Sequence, residues 1–158
     1  IMRADGAAQT NLTHQAAYDG NFAWSPDGMW MAFVSQRDGN GEIYVMRADG
    51  AMPANLTRHA ASDWYFVWAP DGARLAFVTE RDGASEIYSM DRNGSDLVNV
   101  TKDPASDHSP VWSLDGSRIV FVSERDGLQQ LYSMSADGTN QARLVVSQSE
   151  DQTPTWQP

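Results

Sequence analysis

From Phe22 onward the chain alternates short apolar runs with glycine-bearing polar turns, and the same order returns three times. WSPDGMWMAFVSQRDGNGEIYVM occupies 24–46, WAPDGARLAFVTERDGASEIYSM occupies 68–90, and WSLDGSRIVFVSERDGLQQLYSM occupies 112–134. Within the first copy FAW runs into the turn SPDG, MAFVS into QRDGNG and EIYVM into RADG, and NLT closes the unit. Asp-Gly between apolar runs predicts a hairpin turn, because glycine supplies the positive φ that such turns need. Proline and glycine recur too often for an apolar stripe of helical spacing to develop. Each copy therefore predicts about four short antiparallel strands.

The middle strands are apolar on both sides. Ala32, Phe33 and Val34 run consecutively, and in Glu42–Met46 the pair Ile43 and Val45 lies on one face with Tyr44 and Met46 on the other. A strand with two apolar faces is packed between two neighbouring layers. Trp24, Trp68, Trp112 and Trp156 stand 44 residues apart, and the Phe33, Tyr44 and Met46 series keep the same step. A period in the forties, built from four-stranded units, predicts an all-β fold: a β-propeller of antiparallel blades stacked face to face. The repeated tryptophans then read as inter-blade packing.

The repeat divides the chain into a single partial propeller. Residues 1–20 are the end of a split blade, since IMRADG aligns with VMRADG at 45–50. Three complete blades follow at 21–64, 65–108 and 109–150, and residues 151–158 read as the innermost strand of the next or split blade.

The pattern D-x-x-x-x-W-[SA]-x-D-G-x-x-x-[AV]-F-V-[ST]-x-R-D-G-x-x-[EQ]-[IL]-Y-x-M resembles the repeats of TolB-type β-propellers. Such repeats form periplasmic TolB and the propeller domains of prolyl-oligopeptidase-like peptidases. The third copy departs at Leu114, in place of the turn proline, and at Gln130, in place of the repeat glutamate. The resemblance implies six or more blades, about 264 residues at this period, whereas 158 residues hold about 3.6 repeats. An open arc would expose apolar blade faces. Two solutions are expected: the chain is part of a longer polypeptide, or copies self-associate and complete a blade by strand addition. Homo-oligomeric closure is the favoured expectation. The resemblance also implies a periplasmic or extracellular bacterial setting.

Composition narrows the partners. A net charge of −10 and a pI near 4.5 oppose nucleic acid and anionic lipid. No apolar run reaches the ~18–20 residues of a membrane span, which argues against membrane insertion. The absence of cysteine excludes disulfides and thiolate chemistry. The opening IMRADG has no signal-peptide pattern, so a targeting sequence is expected outside this chain.

No catalytic signature of the G-x-S-x-G or H-E-x-x-H type is present. His14, His59 and His108 do not keep the 44-residue step and form no symmetric ring. Asn11, Asn55 and Asn99 stand in formal N-x-T acceptors that recur because the outer strand recurs. Two features rise above this floor. Asp19, Asp63, Asp107 and Asp151 each lie five residues before a blade tryptophan. Either each caps its own turn, or in a closed ring they converge on a cation such as Ca2+. Arg37, Arg81 and Arg125 are expected to pair with neighbouring acids.

The second feature fails to repeat. After each aspartate come GNFA, WYFV, HSPV and QTPT. Trp64, Tyr65 and Phe66 place three aromatics at one position, flanked in the other blades by Phe22 and His108; Trp30 is a lesser candidate. Exposed aromatics on a rigid scaffold anchor protein or peptide partners; otherwise they fill an inter-blade gap. The reading is a non-catalytic scaffold that binds a protein or peptide. The alternative is an accessory propeller that gates a serine peptidase. A metal-dependent lyase or lactonase would need an open metal site and a base.

Overall fold

The computed structural model describes residues 1–145, 149, 151, 154 and 155. The strand expected over 151–158, with Trp156, lies outside the described residues apart from Asp151, Pro154 and Thr155. Among the described residues there is no helix, and twelve strands form three four-stranded antiparallel sheets. The first sheet is β1 (Asp19–Trp24), β2 (Trp30–Ser35), β3 (Glu42–Arg47) and β4 (Ala54–Asn55), in chain order. The second is β5 (Asp63–Trp68), β6 (Arg74–Thr79), β7 (Glu86–Asp91) and β8 (Val98–Asn99). The third is β9 (Asp107–Trp112), β10 (Arg118–Ser123), β11 (Gln130–Ser135) and β12 (Ala142–Arg143). These are propeller blades, each starting at a repeat aspartate.

The turns form as the local chemistry dictates. In SPDG the Gly28 N–H donates to Ser25 O at 2.8 Å, and Gly28 takes φ +68°. The Ser25 hydroxyl donates to Asp27 and accepts the Trp30 N–H at 3.0 Å, locking the start of β2. The same geometry recurs at Ser113 and Asp115, so Leu114 costs the third turn no hydrogen bond.

Alternation along the middle strands builds the core. Ala32 and Val34 pack with Phe66, Leu75 and Phe77 between the first and second blades. Ala76 and Val78 turn the other way and pack with Trp112, Ile119 and Phe121 of the third. Period-two alternation thus feeds two interfaces from one strand. The outward face of the first blade, formed by Met31, Phe33, Tyr44 and Met46, is met by Leu12.

Polar contacts repeat across the seams. The Asp63 N–H donates to Gly41 O at 2.7 Å, the Asp107 N–H to Ser85 O at 2.7 Å, and the Asp151 N–H to Gln129 O at 2.8 Å. Each inner strand therefore starts on the preceding blade, and Asp151 holds that position on the third. Trp68 Nε1 donates to Ala23 O at 3.1 Å.

Residues 1–18 contain no strand. The Arg3–Gly6 turn and the Asn11 turn keep repeat geometry, with the Thr13 N–H donating to Asn11 Oδ1 at 3.1 Å as Thr57 does to Asn55. β4 and β8 gain their ladder from β3 and β7. Among the described residues Asn11 has no such strand beside it, so the segment keeps the turns without the pairing.

The Gln130 departure is compensated locally. Glu42 accepts the Thr57 hydroxyl at 2.6 Å and the His59 N–H at 3.0 Å. In the third blade Val145 stands in the threonine place, and Arg143 donates to Gln130 Oε1 while Gln130 Nε2 donates to Ser149 O at 2.9 Å.

Candidate functional site

Each inner strand carries a bulge near its start. The register between β5 and β6 runs Trp64↔Val78 and then Phe66↔Phe77, leaving Tyr65 as the extra residue. Equivalent shifts fall between Gly20 and Ala23 in β1 and opposite Val120/Val122 in β9. The bulge places Asn21, Tyr65 and Ser109 at φ +45°, +38° and +54°. Asparagine tolerates this left-handed region, whereas a bulky tyrosine is strained there. Such strain, of order 1–3 kcal/mol, collects at functional positions.

The bulge breaks period-two alternation, so consecutive residues face solvent. Trp64 and Tyr65 are each 46% exposed. With Val78, Ser85, His108 and Ser109 they line a cleft of about 310 Å3 across the seam between the second and third blades. Of the sequence candidates, the structure brings Trp64, Tyr65 and His108 together here.

Phe66 and Phe22 do not join them. Phe66 is only 8% exposed and packs into the core between the first two blades. Phe22 is 72% exposed, but its repeat equivalents Phe66 and Pro110 are both buried. It lines a separate space of about 430 Å3 with Ile1, Leu12, Trp24 and Met31, on a face that no described blade covers. Trp24 is 43% exposed there, against 6% for Trp112. Trp30 is also occupied: the Arg92 guanidinium lies 5.1 Å from its ring centroid and 3.9 Å from Asp27, joining the first two blades.

The repeat aspartates sit beneath the bulges, each facing an arginine of its own blade. Arg37 Nη2 reaches Asp19 at 3.3 Å, Arg81 Nη2 reaches Asp63 at 3.0 Å, and Arg125 Nη2 reaches Asp107 at 3.2 Å. The same guanidiniums lie 4.4–4.7 Å from the ring centroids of Tyr44, Tyr88 and Tyr132. Those tyrosine hydroxyls donate to Asp38, Asp82 and Asp126, the acids of the RDG turns. Burial, followed by this bond, pushes the three phenols up to about 12. At Asp19 burial works upward, but hydrogen bonds from Ser35, Thr13 and Arg37 outweigh it and hold the carboxyl below its usual value. At Asp107 burial prevails over Ser123 and Arg125 and pushes the carboxyl up to about 6.

Among the described residues no three His, Asp or Glu side chains gather where they could hold a metal ion. Asp19, Asp63 and Asp107 each pair with an arginine of their own blade, and Asp151 bonds to the third blade through its backbone N–H.

His108 Nδ1 lies 3.0 Å from Ser109 Oγ. No carboxylate hydrogen-bonds that imidazole among the described residues, so the pair lacks the orienting group a nucleophilic serine needs. Burial holds His108 below its usual pKa, against the pull of Glu124, and so favours the uncharged ring. The site offers aromatic faces, an imidazole and hydroxyls. The sequence signal for it was the loss of repetition at Trp64 and His108. Val78, Ser85 and Ser109 carried no signal of their own.

No curated protein matches the chain. Among solved structures, the TolB-type protein of Agrobacterium tumefaciens is similar at 26% identity and a TM-score of 0.71, over 84% of this chain and 50% of that one. TolB of Acinetobacter baumannii is similar at 25% identity and a TM-score of 0.67, over 79% of this chain and 32% of that one. The chain thus spans half or less of these relatives. A puromycin-hydrolysing peptidase of Mycobacterium tuberculosis shares the fold at 18% identity and a TM-score of 0.71, over 86% of this chain and 23% of that one. Residues 59–158 match the family model described as the TolB beta propeller domain. That match takes in more than half of the chain, including the second and third blades, and the protein therefore belongs to the TolB beta propeller domain family.

Proposed function

We propose that the chain is a propeller scaffold that binds a protein or peptide partner in the cleft at the bulges of β5 and β9. The observation that carries this reading is Tyr65, a bulky residue held at φ +38° on a bulge that turns both it and Trp64 outward. A packing role would put their bulk in the core, as it does for Phe66. Large rigid aromatics beside a groove are the usual energetic anchors of an interface. The test is a selection of displayed peptides on the full chain, followed by affinity measurement on Trp64→Ala and Phe22→Ala. Peptides that lose at least tenfold affinity in Trp64→Ala and little in Phe22→Ala are expected. Peptides indifferent to Trp64 would overturn the assignment.

Closure belongs to the same reading. Phe22 and Trp24 are exposed where Phe66 and Trp112 are buried, which favours a further blade of this repeat against the first one. For the chain alone, that blade comes from a second copy, and light scattering is expected to give a closed oligomer. A monodisperse monomer would reject self-association. The family also fits the periplasmic or extracellular setting that the repeat resemblance implies.

A further inference from the structure

The chemistry around the cleft selects among partners. Its lining contains no lysine or arginine. Two guanidiniums of these blades are already used: Arg81 and Arg125 are held by Asp63 and Asp107 and lie against Tyr88 and Tyr132, with side chains only 9% and 17% exposed. Those pairs cancel in charge. What remains at the rim is negative. Ser85, in the lining, donates to Glu80 at 3.4 Å, and Glu124 is close enough to act electrostatically on His108. The wider field has the same sign, at a net charge of −10.

The protein also has a consistent habit with aromatic rings. Tyr44, Tyr88, Tyr132 and Trp30 each carry a guanidinium of the chain within 4.4–5.1 Å of the ring centroid. Trp64 and Tyr65 are outward-facing and carry none among the described residues. A ring face attracts a cation through its quadrupole, tryptophan most strongly. Nearby carboxylates add attraction in the partly desolvated cleft.

We propose that the cleft formed by Trp64, Tyr65, His108 and Ser109, rimmed by Glu80 and Glu124, takes an arginine side chain from a basic segment of the partner. This rests on the preceding assignment of the cleft as the contact site. A space of about 310 Å3 accommodates one long side chain.

The test uses three blocked pentapeptides, Gly-Gly-X-Gly-Gly, with X as arginine, citrulline or norleucine. Citrulline keeps the shape of arginine without its charge, a carbonyl oxygen replacing one guanidinium nitrogen. Each is titrated into the full chain and followed through the indole N–H resonances, with thermal melts confirming that the variants remain folded. The arginine peptide is expected to bind roughly three- to fivefold more tightly than the citrulline peptide, the advantage of an exposed cation over a ring. That advantage falls, without vanishing, in the Glu80→Gln, Glu124→Gln double variant and shrinks with added salt. Trp64→Phe retains part of the binding and Trp64→Ala loses it. Equal binding of arginine and citrulline, both abolished by Trp64→Ala, would overturn the cation preference and leave the contact site standing. Tightest binding of norleucine would do the same. Arginine binding that survives Trp64→Ala, or no binding by any peptide, would overturn both.

Discussion

Arg81 Nη2 lies 3.0 Å from Asp63 Oδ1 in a pair almost wholly withdrawn from water, and Asp63 Oδ2 has no hydrogen-bond partner among the described residues. The arginine is also spread over Phe77 and Tyr88, so one residue joins the bulge of β5 to the aromatic wall of its blade. Removing the acid strands a buried guanidinium. Asp63→Ala is expected to lose about 3 kcal/mol in urea denaturation. Asp63→Leu with Arg81→Met should recover most of that loss, because the desolvation of both charges is removed together. Equal losses in the single and double variants would show that packing, and not charge, holds this junction.

Acidity acts on the fold in two directions. The folded state raises Asp107 to about 6, above its unfolded value near 3.8, so it binds that proton more firmly than the unfolded chain does. Stability should therefore rise as pH falls from 7 towards 4, by up to about 2–3 kcal/mol. Opposing carboxylates lie on the surface. The Ser113 hydroxyl and the Ser117 N–H hold Asp115 at about 2, and hydrogen bonds from Tyr44 and Tyr88 hold Asp38 and Asp82 below normal. Their stabilisation is present above pH 4 and is lost below it. Denaturant midpoints from pH 2 to 8 should peak between 4 and 6, and Asp107→Asn should flatten the arm between 4 and 7.

Two glycines separate backbone strain from crowding. Gly127 and Gly138 have φ of +84° and +85°, but a Cβ on Gly127 would meet nothing within 4 Å, while one on Gly138 would lie 2.5 Å from Val100 O. Gly127→Ala should cost only the left-handed penalty, roughly 1–2 kcal/mol. Gly138→Ala must also push the second and third blades apart, and its urea midpoint should drop clearly further. Equal drops would refute the close approach.

Tyr65 carries strain that the neighbouring blade avoids with Asn21. Tyr65→Asn is expected to raise stability by about 1 kcal/mol while weakening any ligand of the cleft. A variant that is both more stable and equally able to bind would remove Tyr65 from the contact surface.

Much of this architecture is legible in the residues alone. The 44-residue step, the Asp-Gly turns and the double-faced strands lead directly to blades, because each is a local rule repeated without conflict. The cleft is less legible. Alternation along WYF would put Trp64 and Phe66 on one side and Tyr65 on the other. The bulge instead sends Trp64 and Tyr65 out and Phe66 in, and only the pairing with β6 reveals it. The partners of the aspartates are legible only in part: the sequence expects Arg37, Arg81 and Arg125 to meet acids, and the hairpin brings each to the aspartate eighteen residues earlier. Phe22 is a matter of context: its own sequence matches a buried equivalent, and only the uncovered face of its blade exposes it.

The stitching of each inner strand to the loop before it has a consequence for how the molecule comes apart. Because Asp63, Asp107 and Asp151 each bond backward to the preceding blade, the described blades are linked only between nearest neighbours, as in a one-dimensional lattice. Whenever the first blade is left uncovered, fraying should advance inward from it, and the second blade, gripped from both sides, should hold the slowest-exchanging amides. A perturbation at Trp24 would then fade within one repeat and leave Phe121 undisturbed.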